Sequence, residues 1–347
     1  MHAIAPDAAP IFARAAGADA RAERRLDAAI EDFFLSAHDR LDDRTRAALH
    51  TAIATTLEGI ERELAGHATR LLTRSGGGLV TAEPAETLRR LLDAGLLRDP
   101  ELMAEMIGQV RLALLGAALA AGREPGLPAT LLPRMAQGDD AVTAGSARDY
   151  LLADGRRDAG GARGLTLPGE LHRRVVWWVA AALREKRPGR VDQALVESAI
   201  RCIDAHDDGA RLDSIALRLA TAIDARADEI PALLIEALGD GRAELAVALI
   251  AYAQRIELGE ARALLLDIDG DRLWLVLRAH GFTRDDLARV ALLLADAEPR
   301  RDIEAFADLL DTIAAIPVLA ARAALAPLSL HADFRRAIRA LARSHRA

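Results

Sequence analysis

"LLLDIDGDRLW", residues 264–274, has three readings, and each implies a different fold. If the leucines end a buried strand, Asp267-x-Asp269 is a phosphatase nucleophile loop and the protein is α/β. If Asp267, Asp269 and Asp271 open a calcium loop, the stretch is a metal site between two helices. If the leucines end one helix and Gly270 turns the chain into the next, it is punctuation in an all-α protein.

Spacing decides for the third reading. The preceding "ELGEARALLLD" (257–267) carries Ala261, Leu264 and Leu265 at helical intervals, with acidic residues in its first turn. A phosphatase of the haloacid-dehalogenase type also needs Thr or Ser after the glycine. Asp271 stands there and adds negative charge where phosphate would sit. "TRDDLARV" (283–290) imitates the later acidic pair, but Thr283 and Asp286 have the spacing of a capping box. The calcium loop fails at its sixth position, Arg272 for Gly, and at its twelfth, Arg278 for the bidentate Glu. As punctuation, Leu264–Leu266 end a helix, Gly270 turns, Asp269 or Asp271 caps, and Leu273, Trp274 and Leu277 open the next apolar face.

Working outward, turn glycines recur at Gly209, Gly239 and Gly270, in steps of 30 and 31, and Pro299 follows 29 further on. Between them the spacing predicts paired helices: 211–227 with 231–238, 241–255 with 258–267, 271–280 with 283–296, and 300–314 with 317–326. A last helix is expected over 330–345. Helical hairpins repeated at this length are the mark of an α-solenoid, here HEAT-like, in which each pair buries its apolar face on its neighbours. No stretch alternates in the two-residue pattern of a strand, so no sheet is expected.

Toward the N-terminus, residues 1–19 are Ala- and Pro-rich and read as flexible. A helix over 20–37 carries Leu26, Ile30, Phe33 and Phe34 on one side. Asp42 or Asp43 caps a long helix to Arg74, striped by Leu49, Ile53, Leu57, Ile60, Leu64, Ala68 and Leu71. Packing inside the chain is the expected use of that stripe, and a homodimer through 43–74 is the alternative. "SGGG" (75–78) ends it, and helices follow over 84–96 and 100–121, the second opened by Asp99-Pro100-Glu101. "DGRRDAGGARG" (154–164) has no apolar residue larger than Ala and reads as linker. The expected domains are therefore 20–153, N-terminal and helical, and 167–347, HEAT-like, joined by a linker at 154–166. The repeat domain opens on a helix over 167–187 that is apolar nearly all round its second half, hence enclosed by others. Trp177 and Trp178 point about 100° apart on it, and at least one is expected in the core.

Composition narrows the functional classes. Apolar residues make up 51% and aromatics 3%, a mix that favours helices. Lys186 is the one lysine, so 44 of the 45 basic residues are Arg (45 − 1), which reads as a GC-rich coding bias. A net charge of −7 argues against a general nucleic-acid binder. The single cysteine, Cys202, excludes an internal disulfide and a multi-cysteine zinc site; it reads as a small buried residue. The first twenty residues have no secretory pattern, and the longest apolar runs, 112–122 and 175–183, are too short to span a bilayer. The expected location is the cytoplasm, without membrane insertion.

None of the nine histidines has a metal-ligand spacing. His50, beside Arg44 and Arg46 on the long helix, resembles the exposed histidine of a phosphotransfer bundle but lacks an acidic neighbour after it. The arginines of "HADFRRAIRALARSHRA" (331–347) suit the C-terminus of a helix dipole. No Gly-rich phosphate loop and no GxSxG elbow is present. Catalytic, cofactor-binding and metal-binding residues are thus all expected to be none.

Three segments, "LTLPGELHRRVVWWVAAALRE", "PALLIEALGDGRAELAVALIAYA" and "EARALLLDIDGDRLWLVLRAHGFTRDDLARV", resemble an all-helical, HEAT-like family of alphaproteobacteria known as domain of unknown function 2336. The resembling elements are Ala237–Gly239, Glu244–Ala251 and Leu265–Asp267, within roughly 167–340. They are packing motifs: the resemblance implies a fold and no catalytic residue. The expected function is a non-enzymatic interaction or regulatory scaffold with protein partners. The alternative is a signalling protein of phosphotransfer or docking type acting through the N-terminal helices.

Overall fold

The structure, a computed structural model, describes residues 9–34, 41–74, 83–123, 130–159, 164–185, 191–331, 333–335, 337–338 and 341. Every regular element among them is helical. In chain order these are α1 (Ala9–Ala16), α2 (Ala18–Phe34), α3 (Asp43–Arg74), α4 (Pro84–Asp93), α5 (Pro100–Ala121), α6 (Leu131–Ala136), α7 (Ala141–Ala159), α8 (Gly169–Glu185) and α9 (Asp192–Asp204). There follow α10 (Leu212–Ile223), α11 (Ile230–Gly239), α12 (Ala243–Gln254), α13 (Leu258–Leu266), α14 (Asp271–Ala279), α15 (Arg284–Ala297), α16 (Ile303–Ala315) and α17 (Val318–Leu325). Each helix expected between 211 and 326 forms. Of the expected final helix, 330–345, the described residues 333–335, 337–338 and 341 are helical; the "SGGG" break lies outside the described residues.

The chain divides into two compact units that interleave in sequence. One takes Leu26–Val110 and Ala153–Ser214; the other takes Met1–Arg25, Arg111–Leu152 and Ile215–Ala347. This differs from the expected succession of 20–153 and 167–347. The expected linker also differs: residues 154–159 continue α7, whose Ala and Arg are strong helix formers, and 160–163 are not among the described residues.

In the unit built from Leu26–Val110 and Ala153–Ser214, α3 is the spine, packed against α4, α8 and α9. Its start is held by Asp42, whose carboxylate accepts the Thr45 N–H at 2.8 Å. The predicted stripe is the packed face: Leu49, Ile53, Leu57, Ile60, Leu64 and Ala68 are buried and Leu71 is half-buried. Each of the fully buried Leu or Ile side chains contributes about 1.5–3 kcal/mol of transfer free energy. The face that would zip to a second copy is the one these helices cover. Helix α8 is not enclosed all round. It buries Leu171, Val175, Val176, Val179 and Leu183, while Trp177 is exposed and Trp178 half-buried. Its neighbours cover one side only.

In the other unit, α12 and α14 are the most enclosed helices. Residues 245–251 of α12 are all buried, and so are 271–277 of α14. The expected hairpins pair differently in part. Helix α12 packs on α13 as expected, but α11 also packs on α12, α15 on α16, and α14 on α17. One turn also differs from the expected one. The glycine that reverses the chain after α11 is Gly241 (φ +71°), not Gly239, which ends the helix itself. A Cβ on Gly241 would lie 2.8 Å from the Ala120 Cβ, so the close approach of α5 requires its absence. Arginines finish several helices. Arg301 and Arg111 donate to the carbonyls of Leu265 and Leu266 at the end of α13, and Arg322 donates to the Ala279 carbonyl at the end of α14. The capping box of Thr283 and Asp286 forms as predicted.

Residues 9–19, expected to be flexible, are helical. Ile11, Ala15 and Ala18 are buried, and α1 packs on α14. Their Ala content favours helix, and the charges described next anchor it. Helix α5 runs 22 residues, and its most apolar window has a mean hydropathy of 1.5, long and apolar enough to cross a bilayer. Half of that window is buried inside the protein, the pattern of a core helix. The apolar run at 112–122 is thus part of the longer apolar helix expected over 100–121.

Candidate functional site

The acidic turn at 267–271 joins α13 to α14, with Gly270 in the left-handed region (φ +66°) as the N-cap residue. A Cβ there would lie 2.8 Å from the Trp274 indole nitrogen, so the turn and the core tryptophan are built around this glycine. Neither Asp269 nor Asp271 caps α14 with its side chain, as the sequence had suggested. Their carboxylates face arginines from the N-terminal helices instead. Arg25 pairs with Asp267 and Asp269. Arg21 pairs with Asp271, and Arg14 reaches Asp271 at 2.8 Å. In the reverse sense, Asp19 accepts from Arg272, which is itself buried.

The electrostatics follow from this geometry. Burial raises the Asp271 carboxyl, with Arg14 and Arg21 opposing it. Burial pulls on Arg25 in the other direction, but hydrogen bonding to Asp269 and the charges of Asp267 and Asp269 outweigh it, and its pKa rises. Arg301, below the turn, is pushed down to about 10 by burial, against the pull of Asp267 and Glu298. The three carboxylates are therefore occupied by guanidinium groups. Among the described residues, no group of three or more His, Cys, Asp or Glu side chains is arranged to hold a metal ion.

A groove of about 710 Å³ lies between α11, the α14–α15 turn and α17, lined by Pro231, Ile235, Glu236, His280, Arg289 and Arg322 among others. That volume is in the range of ligand sites. Both signs of charge line it. Glu236 is held below its ordinary value chiefly by the hydrogen-bonded Arg134, bound through both carboxylate oxygens at 2.6 Å. His280 shares a hydrogen bond with Gln254 at 2.9 Å, and burial, followed by Arg322, lowers its pKa. No local pattern signals this groove, because its lining comes from three segments far apart in sequence.

In the unit containing α8 and α9, Cys202 is buried with its Sγ 3.8 Å from His172 Nε2. His172 stacks on His206, centroids 4.2 Å apart. The pair looks like a thiol–imidazole dyad, but burial, aided by nearby Glu63, pushes the thiol up to about 12. Burial, then His206, lowers His172. Such a thiol stays protonated at neutral pH and is a poor nucleophile. His50 is exposed on α3. His2, His38 and His345 lie outside the described residues, as does Lys186. Of the C-terminal arginines, Arg335 is buried and pairs with Glu260 at 2.6 Å.

No protein-family model, no curated protein and no solved structure matches this chain.

Proposed function

We propose that this chain is a non-enzymatic helical-repeat protein, with HEAT-like hairpins between 211 and 326, that serves as a cytoplasmic interaction or regulatory scaffold. Kinship with the domain of unknown function 2336 belongs to the same proposal and supplies no activity. The observation that carries the reading is the 710 Å³ groove, whose lining comes from α11, α15 and α17 and the turns beside them and combines acidic and basic side chains with the apolar Pro231 and Ile235. Mixed charge around an apolar centre suits a protein surface. The test is crosslinking and affinity capture with the intact chain and with Ile235→Arg and Arg289→Glu. A captured protein lost by both groove variants, and kept by Leu292→Arg on the exposed side of α15, supports the reading. Capture that ignores the groove, or turnover of a small molecule by the purified chain, overturns it.

The second reading, phosphotransfer or docking through the N-terminal helices, has the exposure of His50 in its favour. Label from a phosphodonor that appears on the intact chain and vanishes in His50→Ala supports it; absence of label ends it.

A further inference from the structure

We propose that the groove between α11, the α14–α15 turn and α17 recognises an acidic segment of a partner protein, in which carboxylate side chains flank an apolar one. This rests on the reading of the groove as a protein-binding surface and names the chemistry of what binds there. The charged side chains of the lining are unevenly satisfied. Its three carboxylates already have partners. Glu236 is held through both oxygens by Arg134. Asp286 accepts the Thr283 N–H at 2.9 Å and the Thr283 hydroxyl at 2.7 Å within the capping box. Asp228 pairs with Arg226 at 3.3 Å. The two arginines of the lining are in the opposite condition. Arg289 is exposed and has no hydrogen bond or ion pair among the described residues. Arg322 donates from Nε to the Ala279 carbonyl at 3.0 Å, while its two terminal nitrogens have no partner among the described residues. The groove has thus engaged its acceptors and left cationic donors open, which suits an anion.

The rest of the lining fixes the class of anion. A guanidinium is a planar fork that fits the two oxygens of a carboxylate, and the bond from Arg322 Nε holds one such fork in place. Pro231, Ile235 and Val318, each half-buried, share the same groove. A small carboxylate would use the cations and leave these apolar side chains wet. Arg289 and Arg322 are both exposed, so ion pairs to a small anion stay screened by water and are worth little. A chain segment that lays an apolar side chain on Ile235 excludes water around its acidic neighbours and strengthens those pairs. The volume of about 710 Å³ has room for more than one side chain. With a net charge of −7 the chain as a whole does not steer an acidic segment toward itself. Recognition therefore depends on the two local cations, and losing either is felt.

The test uses the full-length chain and an array of fluorescein-labelled peptides in which Glu pairs flank a central Leu, Ile, Phe or Trp. Matched peptides carry Gln for Glu, and binding is read by fluorescence anisotropy. At low salt, at least one acidic peptide is expected to bind about tenfold or more tightly than its Gln counterpart. That preference is expected to shrink at about 0.5 M salt, where the screening length is a few ångströms. Arg289→Ala, which removes an exposed side chain with no partner to lose, is expected to weaken the binding about three- to tenfold, and Arg322→Gln by a similar factor. Arg284→Ala, which breaks an ion pair with Asp311 outside the groove lining, is expected to leave it unchanged. Failure of every acidic peptide to bind below about 1 mM, equal binding of the Glu and Gln peptides, or binding indifferent to Arg289→Ala overturns the proposal. So does glutarate that binds as tightly as the best peptide, because the groove is then a site for small carboxylates. If Arg322→Gln fails to fold by circular dichroism, Arg289→Ala decides alone. The scaffold reading fails separately: a captured protein lost by Ile235→Arg yet kept by Arg289→Ala leaves the scaffold standing and overturns the acidic partner.

Discussion

Cys202 and His172 show how burial overrides pairing at the scale of one residue. A thiol within 3.8 Å of an imidazole has the composition of a reactive dyad, yet desolvation holds the proton on sulfur with a pKa of about 12. The thiolate is then far scarcer at neutral pH than for an ordinary cysteine. Cys202 in the native chain is therefore expected to react with a maleimide or an aromatic disulfide orders of magnitude more slowly than in denaturant. Rapid native labelling would show the thiol to be accessible and ionised. The sequence reading of Cys202 as a small buried residue rested on its helical neighbours, and its burial follows from them. The same scale explains why the arginines matter whatever their coding origin. A guanidinium donates several directed hydrogen bonds, so Arg25 bridges two carboxylates and Arg301 reaches a helix-end carbonyl.

Helix placement was legible and helix pairing was not. The 30-residue rhythm located α10 to α17 because amphipathic spacing and caps are local. It mistook which glycine turns the chain. Gly239 and Gly241 flank one charged residue, and the left-handed backbone of Gly241 and the approach of Ala120 separate their roles. Gly241→Ala forces a side chain into the left-handed region and against the α5 backbone, so urea denaturation is expected to show a loss of about 2–4 kcal/mol. Gly239→Ala sits at a helical position with open space around it and is expected to be neutral or to gain up to about 1 kcal/mol. Equal effects would mean that the close approach of α5 is not part of the fold. At the same scale, helix α1 was missed because the residues it packs on, Asp271 of α14 among them, are far away in sequence.

Across the molecule, each unit holds a histidine whose neutral form is favoured by burial: His172 in one, His280 in the other. Their folded pKa values lie below the ordinary 6.5, so in the window beneath 6.5 the unfolded chain binds more protons than the folded one. Stability therefore rises with pH through that window and is lost on acidification. The melting temperature is expected to fall between about pH 7.5 and pH 5.5. In His280→Gln, which retains a hydrogen-bonding side chain beside Gln254, the fall is expected to be smaller. A variant whose pH profile overlays the wild type would remove His280 from this account.

Local chemistry alone determined that the chain is helical, where most of its helices start and stop, and that α3 carries a buried stripe. These depend on propensity, caps and a 3.6-residue period, all contained within a few turns of sequence. Tertiary structure decided what the acidic turn is for, which helices pair, and how the chain divides into units. The carboxylates of Asp267, Asp269 and Asp271 acquire a meaning only when Arg14, Arg21 and Arg25 fold back against them. Charge complementarity between distant segments acts through space, and no window along the sequence contains both sides of it.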